Sequence, residues 1–329
     1  MKVCISHSLS KKDIINFFIM LKAKNLQKDY GNFTALKDIN MSVQKGEVLA
    51  LLGPNGAGKT TTMKILTGFL DANHGEVEID EEILTANNVR RIQNKIGYLP
   101  ENAPLYPDLN IWEHLDFAAD IHGIPADEKT KAIDKVVKVC GLKEKLYFDI
   151  SQLSKGYKQR LGLAQALIHD PEILILDEPT TGLDPNQIIE IRNFIDSLRK
   201  KKTIILSTHI MQEVEALADR VIVINQGEVV AEGTPDSLMQ GTSLTHKTKI
   251  SIKGSLAKAK KELEKLEGVD KIEKEPSPNA DIIVLNIFTT ENMQALISKT
   301  IVNADIDLLE IKTEKEKMED IFQKLTSKK

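Results

Sequence analysis

Short apolar segments separated by polar turns run through the first two thirds of the chain and predict strands. Apolar and polar residues alternate over 20–26, and segments 39–43 and 47–52 flank a turn at Lys45 and Gly46. Residues 173–176 and 203–207 are short apolar segments of the kind that central parallel strands show. Further strands are predicted over 95–99, 221–224 and 228–231, the last two forming a hairpin around Gln226 and Gly227.

Helical patterns lie between these strands. A helix is expected from about 59 to 67, and residues 111–168 have a largely helical pattern that Gly123 and Pro125 interrupt. Because strands and helices alternate along residues 20–243, we expect an α/β fold with a parallel sheet covered by helices.

The pattern changes after the polar residues 240–243, which we interpret as a linker. Strands are predicted over 249–253, 269–274, 281–288 and 306–312, with helices that Ser255 and Thr290 could cap. The resulting order, β-α-β-β-α-β, is typical of a small ferredoxin-like α+β domain. A last helix with one apolar stripe is predicted over 318–325.

Length and composition fit a two-domain protein. The chain has 329 residues, with 44 Lys and Arg against 48 Asp and Glu, so its net charge of −4 argues against a dedicated nucleic-acid binder. Two cysteines fit a reducing compartment, and no apolar run reaches the ~18 residues that span a bilayer. We expect an N-terminal extension at 1–19, an α/β domain at 20–243 and an accessory α+β domain at 244–329.

A phosphate-binding motif follows the strand at 47–52. Residues 53–60 match GxxxxGK[ST], in which backbone N–H groups and a helix N-terminus surround phosphate oxygens, and Thr61 follows. Lys59 is expected to reach the β- and γ-phosphates, and Thr60 is a candidate Mg²⁺ ligand. The predicted nucleotide-binding residues of this loop are Gly53, Pro54, Asn55, Gly56, Ala57, Gly58, Lys59, Thr60 and Thr61.

Two acidic residues end the apolar strand at 173–176. Open α/β sheets bind ligands at the carboxyl ends of their strands, so Asp177 is a candidate Mg²⁺ ligand there. Glu178 is the candidate base that orients or deprotonates an attacking water, because phosphoryl transfer depends on positioning and charge neutralisation.

With these motifs in place, the sequence resembles ABC-type ATPases over about residues 20–240. Residues 153–160 are similar to the family's signature peptide, where Ser154 and Gly156 would contact the γ-phosphate bound to the opposite subunit. Lys155 and Tyr157 depart from the family's usual Gly and Gln. The resemblance implies a P-loop NTPase fold with a helical subdomain at about 102–170, and an ATP-closed dimer with two nucleotides at its interface.

Four more positions take their roles from this resemblance. Asp184 ends a segment similar to the D-loop, His209 follows a strand as the switch histidine does, and Tyr30 matches the aromatic that stacks on adenine. At the Q-loop, Glu101 stands where the family usually has Gln. A carboxylate binds Mg²⁺ more strongly than an amide, so the role in metal and nucleotide binding is expected to be kept.

The implied function is ATP hydrolysis coupled to transport. The pattern, including residues 98–102 and 318–326, is most similar to ATP-binding subunits of ABC-2 type exporters of the gliding-motility, drug or polysaccharide branches. The expected cofactors are ATP and Mg²⁺, and the expected partners are a second copy of the chain and a membrane permease, with no nucleic acid. The chain would be cytoplasmic and peripheral on the inner face of the cell membrane.

Two other functions share parts of this pattern. A soluble ABC ATPase of the ribosome or DNA normally has a second ATPase unit or a long coiled coil. The sequence has no second GxxxxGK[ST] motif, and the 118 residues from Lys59 to Asp177 leave no room for a coiled coil. A P-loop kinase or GTPase would lack the signature-like segment and the pair Glu178 and His209. The accessory domain either regulates the dimer or covers part of the ATPase surface, and the transported substrate is set by another chain.

Overall fold

The computed structural model describes residues 19–242, 246–277, 279, 281–314 and 322. The chain divides into two compact units between Pro235 and Asp236, and each unit is described by itself. A helix, Pro235–Thr242, occupies the stretch where the sequence predicts a linker, because its polar residues follow Pro235 at a helix start. The extension expected at 1–19 and the helix expected at 318–325 lie almost entirely outside the described residues.

A six-stranded sheet forms the centre of the first unit. Its spatial order is β10-β9-β3-β8-β7-β6, and the pairs from β9 to β6 are parallel. Strands β3, β7 and β8 are buried along their whole length, which explains the apolar runs at 48–52, 173–176 and 204–206. The strands are β3 (Val48–Leu52), β6 (Ile96–Leu99), β7 (Ile173–Asp177), β8 (Thr203–Thr208), β9 (Arg220–Asn225) and β10 (Glu228–Gly233).

A second, antiparallel sheet packs into the same core. Its order is β2-β1-β4-β5, and the β1–β2 hairpin places Tyr30 opposite Phe33. The sequence predicts β1 and part of β2, but β4, β5 and a short helix at Val89–Gln93 are too short or too polar to show a clear period. The strands are β1 (Ile19–Tyr30), β2 (Phe33–Gln44), β4 (His74–Ile79) and β5 (Glu82–Ile83).

Helices cover the first unit. The predicted helical stretch at 111–168 is three helices, because a break follows at Gly123 as expected and two short 3₁₀ turns interrupt residues 143–152. Asn110 and Glu113 form a capping box that begins α3. The helices are α1 (Lys59–Leu66), α2 (Val89–Gln93), α3 (Ile111–Ile121), α4 (Ala126–Val139), α5 (Lys155–Leu167), α6 (Pro185–Leu198) and α7 (Met211–Leu217). The next helix, α8 (Pro235–Thr242), begins at the last residue of the first unit and continues in the second.

After α8, the described part of the second unit is an antiparallel sheet with two helices. Its strands lie in the order β12-β13-β11-β14, and its elements follow the order β-α-β-β-α-β along the chain. Ser255 caps α9 as predicted, whereas α10 begins after Met293, so the predicted cap at Thr290 is wrong. The elements are β11 (His246–Lys253), α9 (Leu256–Leu263), β12 (Val269–Glu275), β13 (Ile283–Thr289), α10 (Gln294–Asn303) and β14 (Asp307–Glu314).

None of the helices within the described ranges has both the length and the apolar character that crossing a bilayer requires.

A glycine in β6 allows the helical part to approach the sheet. A Cβ atom at Gly97 would lie 2.1 Å from the backbone oxygen of Ala166. We expect Gly97→Ala to lower the free energy of unfolding by about 3 kcal/mol, as overpacking does. Urea unfolding followed by the fluorescence of Trp112, the one tryptophan of the chain, measures the change in the first unit.

Gly123 provides the comparison for Gly97. It has a positive φ of 68° but open space around it, so Gly123→Ala should cost only the left-handed backbone penalty of about 1 kcal/mol. If Gly97→Ala and Gly123→Ala lowered the free energy of unfolding by the same amount, β6 and α5 would be shown to adjust freely at Gly97.

Candidate active site

The carboxyl ends of three parallel strands meet at one edge of the six-stranded sheet. The loop 53–58 follows β3, Glu178 follows Asp177 at the end of β7, and His209 follows β8. The parallel ladder pairs Leu52 with Thr208 and Asp177 with Ser207, so these loops leave the sheet at the same level. Ligands bind at such an edge in open α/β sheets.

The loop before α1 adopts a backbone that only glycine takes easily. Gly58 has φ 111°, and a Cβ there would lie 2.6 Å from Leu36 Cδ2. The loop therefore turns tightly into α1, whose first N–H groups have no partner within the helix and attract anions.

Lys59 is buried beside this loop. Its Nζ donates to the carbonyl oxygen of Gly53 at 2.7 Å and lies 3.2 Å from Glu178 Oε1 as an ion pair. The ammonium group is thus held among oxygen atoms at the mouth of the loop, where phosphate oxygens could replace the carbonyls.

Asp177 is fully buried at the end of β7 and is only partly satisfied. Its Oδ1 accepts a 2.5 Å hydrogen bond from the Ser207 hydroxyl, while Oδ2 has no partner among the described residues. Burial, with the nearby charge of Asp177 as a smaller cause, raises the pKa of Tyr98 well above its usual value. Tyr98 therefore stays neutral, and the open Asp177 oxygen fits a metal ion or its bound water.

Glu178 lies in a strained conformation at the centre of the site. Its φ of 49° is in the left-handed region, and its N–H donates to the Ser207 hydroxyl at 3.0 Å. Oε2 accepts hydrogen bonds from the Thr181 hydroxyl at 3.1 Å and from His209 Nδ1 at 2.8 Å. Such strain persists only where the surroundings hold it, and it is concentrated at functional sites.

These groups line one cavity of about 340 Å³. Of the residues predicted from the sequence, it is lined by Tyr30, Pro54, Asn55, Gly56, Ala57, Gly58, Lys59, Thr60, Thr61, Glu101, Glu178 and His209. Gly53 and Asp177 do not line the cavity. Gly53 accepts a hydrogen bond from Lys59, and Asp177 is connected to Glu178 through the Ser207 hydroxyl. Phe33, Ala35 and Thr181 also line it and were not predicted. Phe33 is 61% exposed and lies opposite Tyr30 across the hairpin. Because exposed and buried residues do not alternate at this end of β2, the sequence pattern gives no signal for it.

Three further predicted site residues lie outside the lining of this cavity. Ser154 caps α5, its hydroxyl accepting from the Tyr157 N–H at 3.4 Å, and Asp184 caps α6 through Gln187 in a capping box. A Cβ at Gly156 would lie 2.7 Å from the Gln187 side chain, so the starts of α5 and α6 pack closely. Ser154, Gly156 and Asp184 thus form a separate group outside the cavity of their own chain.

Within the described ranges, no three His, Cys, Asp or Glu side chains converge to bind a metal ion unaided. Mg²⁺ is commonly held by one or two carboxylates together with waters and substrate phosphates.

Comparison with known proteins identifies the family. A model described as ABC transporter matches residues 36–181. YdbJ, an uncharacterized ABC transporter ATP-binding protein of Bacillus subtilis strain 168, is 35% identical over 310 residues, which are 94% of this chain and 96% of the relative. The chain belongs to the ABC transporter family. It is an ATP-binding, ATP-hydrolysing subunit of this family, as the sequence predicts.

Other family members extend the likeness. The bacitracin transport ATP-binding protein BcrA of Bacillus licheniformis is 35% identical over 308 residues, which are 93% of this chain and 97% of the relative. A dimeric post-hydrolysis structure of the ATP-binding cassette MJ0796, bound to ADP and Pi, matches with a TM-score of 0.61 and 28% identity, over 66% of this chain and 99% of that one. The first unit therefore has the fold of an ATP-binding cassette.

The Ser207 hydroxyl bonds to both Asp177 and Glu178, so its removal should destabilise the first unit. Ser207→Ala leaves Asp177 Oδ1 and the Glu178 N–H without their hydroxyl partner, and we expect a loss of about 1–3 kcal/mol in the free energy of unfolding. Urea unfolding followed by Trp112 fluorescence measures it. Ser197→Ala is the control, because that hydroxyl bonds only to Phe194 within an exposed helix turn and its loss should change little. An unchanged free energy of unfolding for Ser207→Ala would contradict the role of this hydroxyl in connecting Asp177 and Glu178.

Proposed function

We propose that the chain binds Mg-ATP in the described cavity, closes on a second copy, and powers a separate membrane permease of the ABC-2 exporter type. The observation that carries this proposal is the cluster of Lys59, Glu178 and His209 at the strand ends, next to a phosphate-binding loop. The curated relatives that are bacitracin and lantibiotic transport ATP-binding proteins support the exporter branch.

Each side chain of the cavity has a proposed task. Lys59 and the N–H groups of the loop bind the β- and γ-phosphates, while Tyr30 packs against the base. Thr60, Asp177 and Glu101 would hold Mg²⁺, which when bound neutralises phosphate charge during transfer. The open Asp177 oxygen supports this choice of ligands.

Glu178 is the proposed general base. Its carboxylate only accepts hydrogen bonds, so His209 must carry its proton on Nδ1, and the pair at 2.8 Å fixes the imidazole. Lys59 at 3.2 Å stabilises the ionised carboxylate, the form that can accept a proton from an attacking water. His209 is 44% exposed on its side chain and so is accessible to a phosphate oxygen.

The remaining predicted residues act across the dimer in this proposal. Ser154 and Gly156 begin α5, whose N-terminus is a favourable position for an anion, yet they do not line the cavity of their own chain. A second copy, arranged as in the dimeric cassette structures, would bring them to the γ-phosphate, with Asp184 between the two sites.

The proposed permease places the chain at a membrane. CbiO1 from Clostridium perfringens is part of the ABC transporter complex cbiONQ and matches this chain with a TM-score of 0.62 and 31% identity, over 68% of this chain and 91% of that one. By analogy we place the chain on the inner face of the cell membrane, held there by its partner.

Replacement of the base tests the catalytic assignment. Glu178→Gln should lower the rate of steady-state ATP hydrolysis by about 10²-fold or more, because general-base catalysis contributes that much, while the dissociation constant for ATP stays within about twofold. Phosphate release and nucleotide titration measure the two quantities.

Glu172→Gln is the matched control for this variant. Glu172 precedes β7 at the end of the strand away from Glu178, and its carboxylate is exposed, so its replacement should leave turnover unchanged. Undiminished hydrolysis by Glu178→Gln would remove Glu178 from the role of base.

A further inference from the structure

One buried carboxylate near the catalytic loops does not line the cavity and takes no part in the chemistry described above. Glu213 in α7 is 1% exposed, and its Oε1 accepts a hydrogen bond from the hydroxyl of Thr180. The nearest cation is Arg192 of α6, whose Nη2 lies 4.0 Å from the same oxygen.

This arrangement is costly for a group that only fills space. Taking a carboxylate out of water costs several kcal/mol, and a well-packed apolar side chain of similar size is often as stabilising or more so. The compensation is incomplete, because 4.0 Å is too long for a hydrogen bond and Arg192 Nε has no partner in the part of the chain that the structure describes. A role beyond packing would account for a glutamate here.

The bond joins the two loops that carry the catalytic pair. Thr180 lies two residues after Glu178, and Glu213 lies four residues after His209. The β7–β8 ladder ends with Asp177 opposite Ser207, one residue before Glu178 and two before His209. Beyond the end of this ladder, the hydrogen bond from Thr180 to Glu213 again connects the segment after β7 with the segment after β8.

We propose that Glu213 is a positioning residue that, through Thr180, holds the loop of Glu178 and the loop of His209 at their working separation. The inference rests on the proposed function, since it concerns the distance between those two side chains. Misplacing a catalytic group by about 1 Å can cost about 10²-fold in rate. Loss of the hydrogen bond between Thr180 and Glu213 should therefore lower kcat. ATP binding depends on the loop before α1 and should remain nearly unchanged.

Two replacements of Glu213 separate positioning from stability. Glu213→Gln keeps a carbonyl oxygen for the Thr180 hydroxyl, and we expect kcat within about threefold of the original chain. Glu213→Leu fills the same space without an acceptor, and we expect kcat to fall at least tenfold with KM for ATP within about twofold, while the melting temperature stays or rises.

Replacements at Thr180 make the same test from the other partner. Thr180→Ser keeps the hydroxyl and should retain kcat within about threefold, whereas Thr180→Val removes it and should lower kcat as Glu213→Leu does. Thr248→Val is the matched control, because Thr248 is equally buried but lies in β11 of the second unit, and it should leave kcat unchanged.

The outcomes distinguish the proposal from a structural role and from the assignment of Glu178. Equal kcat for Glu213→Gln and Glu213→Leu, or a fall in kcat that the melting temperature or the affinity for ATP follows in parallel, would overturn it. Full turnover by Glu178→Gln would instead overturn the proposed base, and the contrast between Ser and Val at Thr180 would still be measured on its own.

Discussion

The parallel ladder through β3, β8 and β7 is the constraint on which the site depends. It fixes the level at which three loops leave the sheet. A phosphate-binding loop is thereby brought to a pair of carboxylates and a histidine that lie more than a hundred residues further along the chain. Ser207 then connects the ladder to the chemistry, since its hydroxyl donates to Asp177 and accepts from the Glu178 N–H. The strained backbone of Glu178 is held by these contacts rather than by local preference.

One copy of the chain has only part of the proposed site. The cavity contains the groups proposed to bind phosphate and activate water, but Ser154 and Gly156 lie with Asp184 in another place, where the starts of α5 and α6 pack together. Because a helix N-terminus stabilises an anion only within its first turn, these residues cannot act on a nucleotide in the cavity of their own chain without moving. A dimer supplies them without rearranging the fold, which is the physical argument for two copies.

Sequence patterns predict the parts of this protein that local chemistry determines. The apolar runs of β3, β7 and β8 and the loop 53–60 are visible because a buried strand and a glycine-rich turn each constrain their own residues. Ser207 and Glu213 could not be found in that way, since their importance arises from contacts with residues about thirty positions away. The helical state of residues 240–242 was not predicted, and the cap expected at Thr290 is wrong, because polar residues fit a helix or a loop equally well until packing decides.

The most direct test of the account is the molar mass of the Glu178→Gln chain in solution with and without Mg-ATP, measured by light scattering. The chain has a mass of 36.7 kDa, and slow turnover should trap the closed state. If two copies complete the site, saturating Mg-ATP doubles the measured mass, and Mg-ADP leaves it unchanged. A mass that remains that of one chain in saturating Mg-ATP would contradict the claim that the active site is shared between two copies.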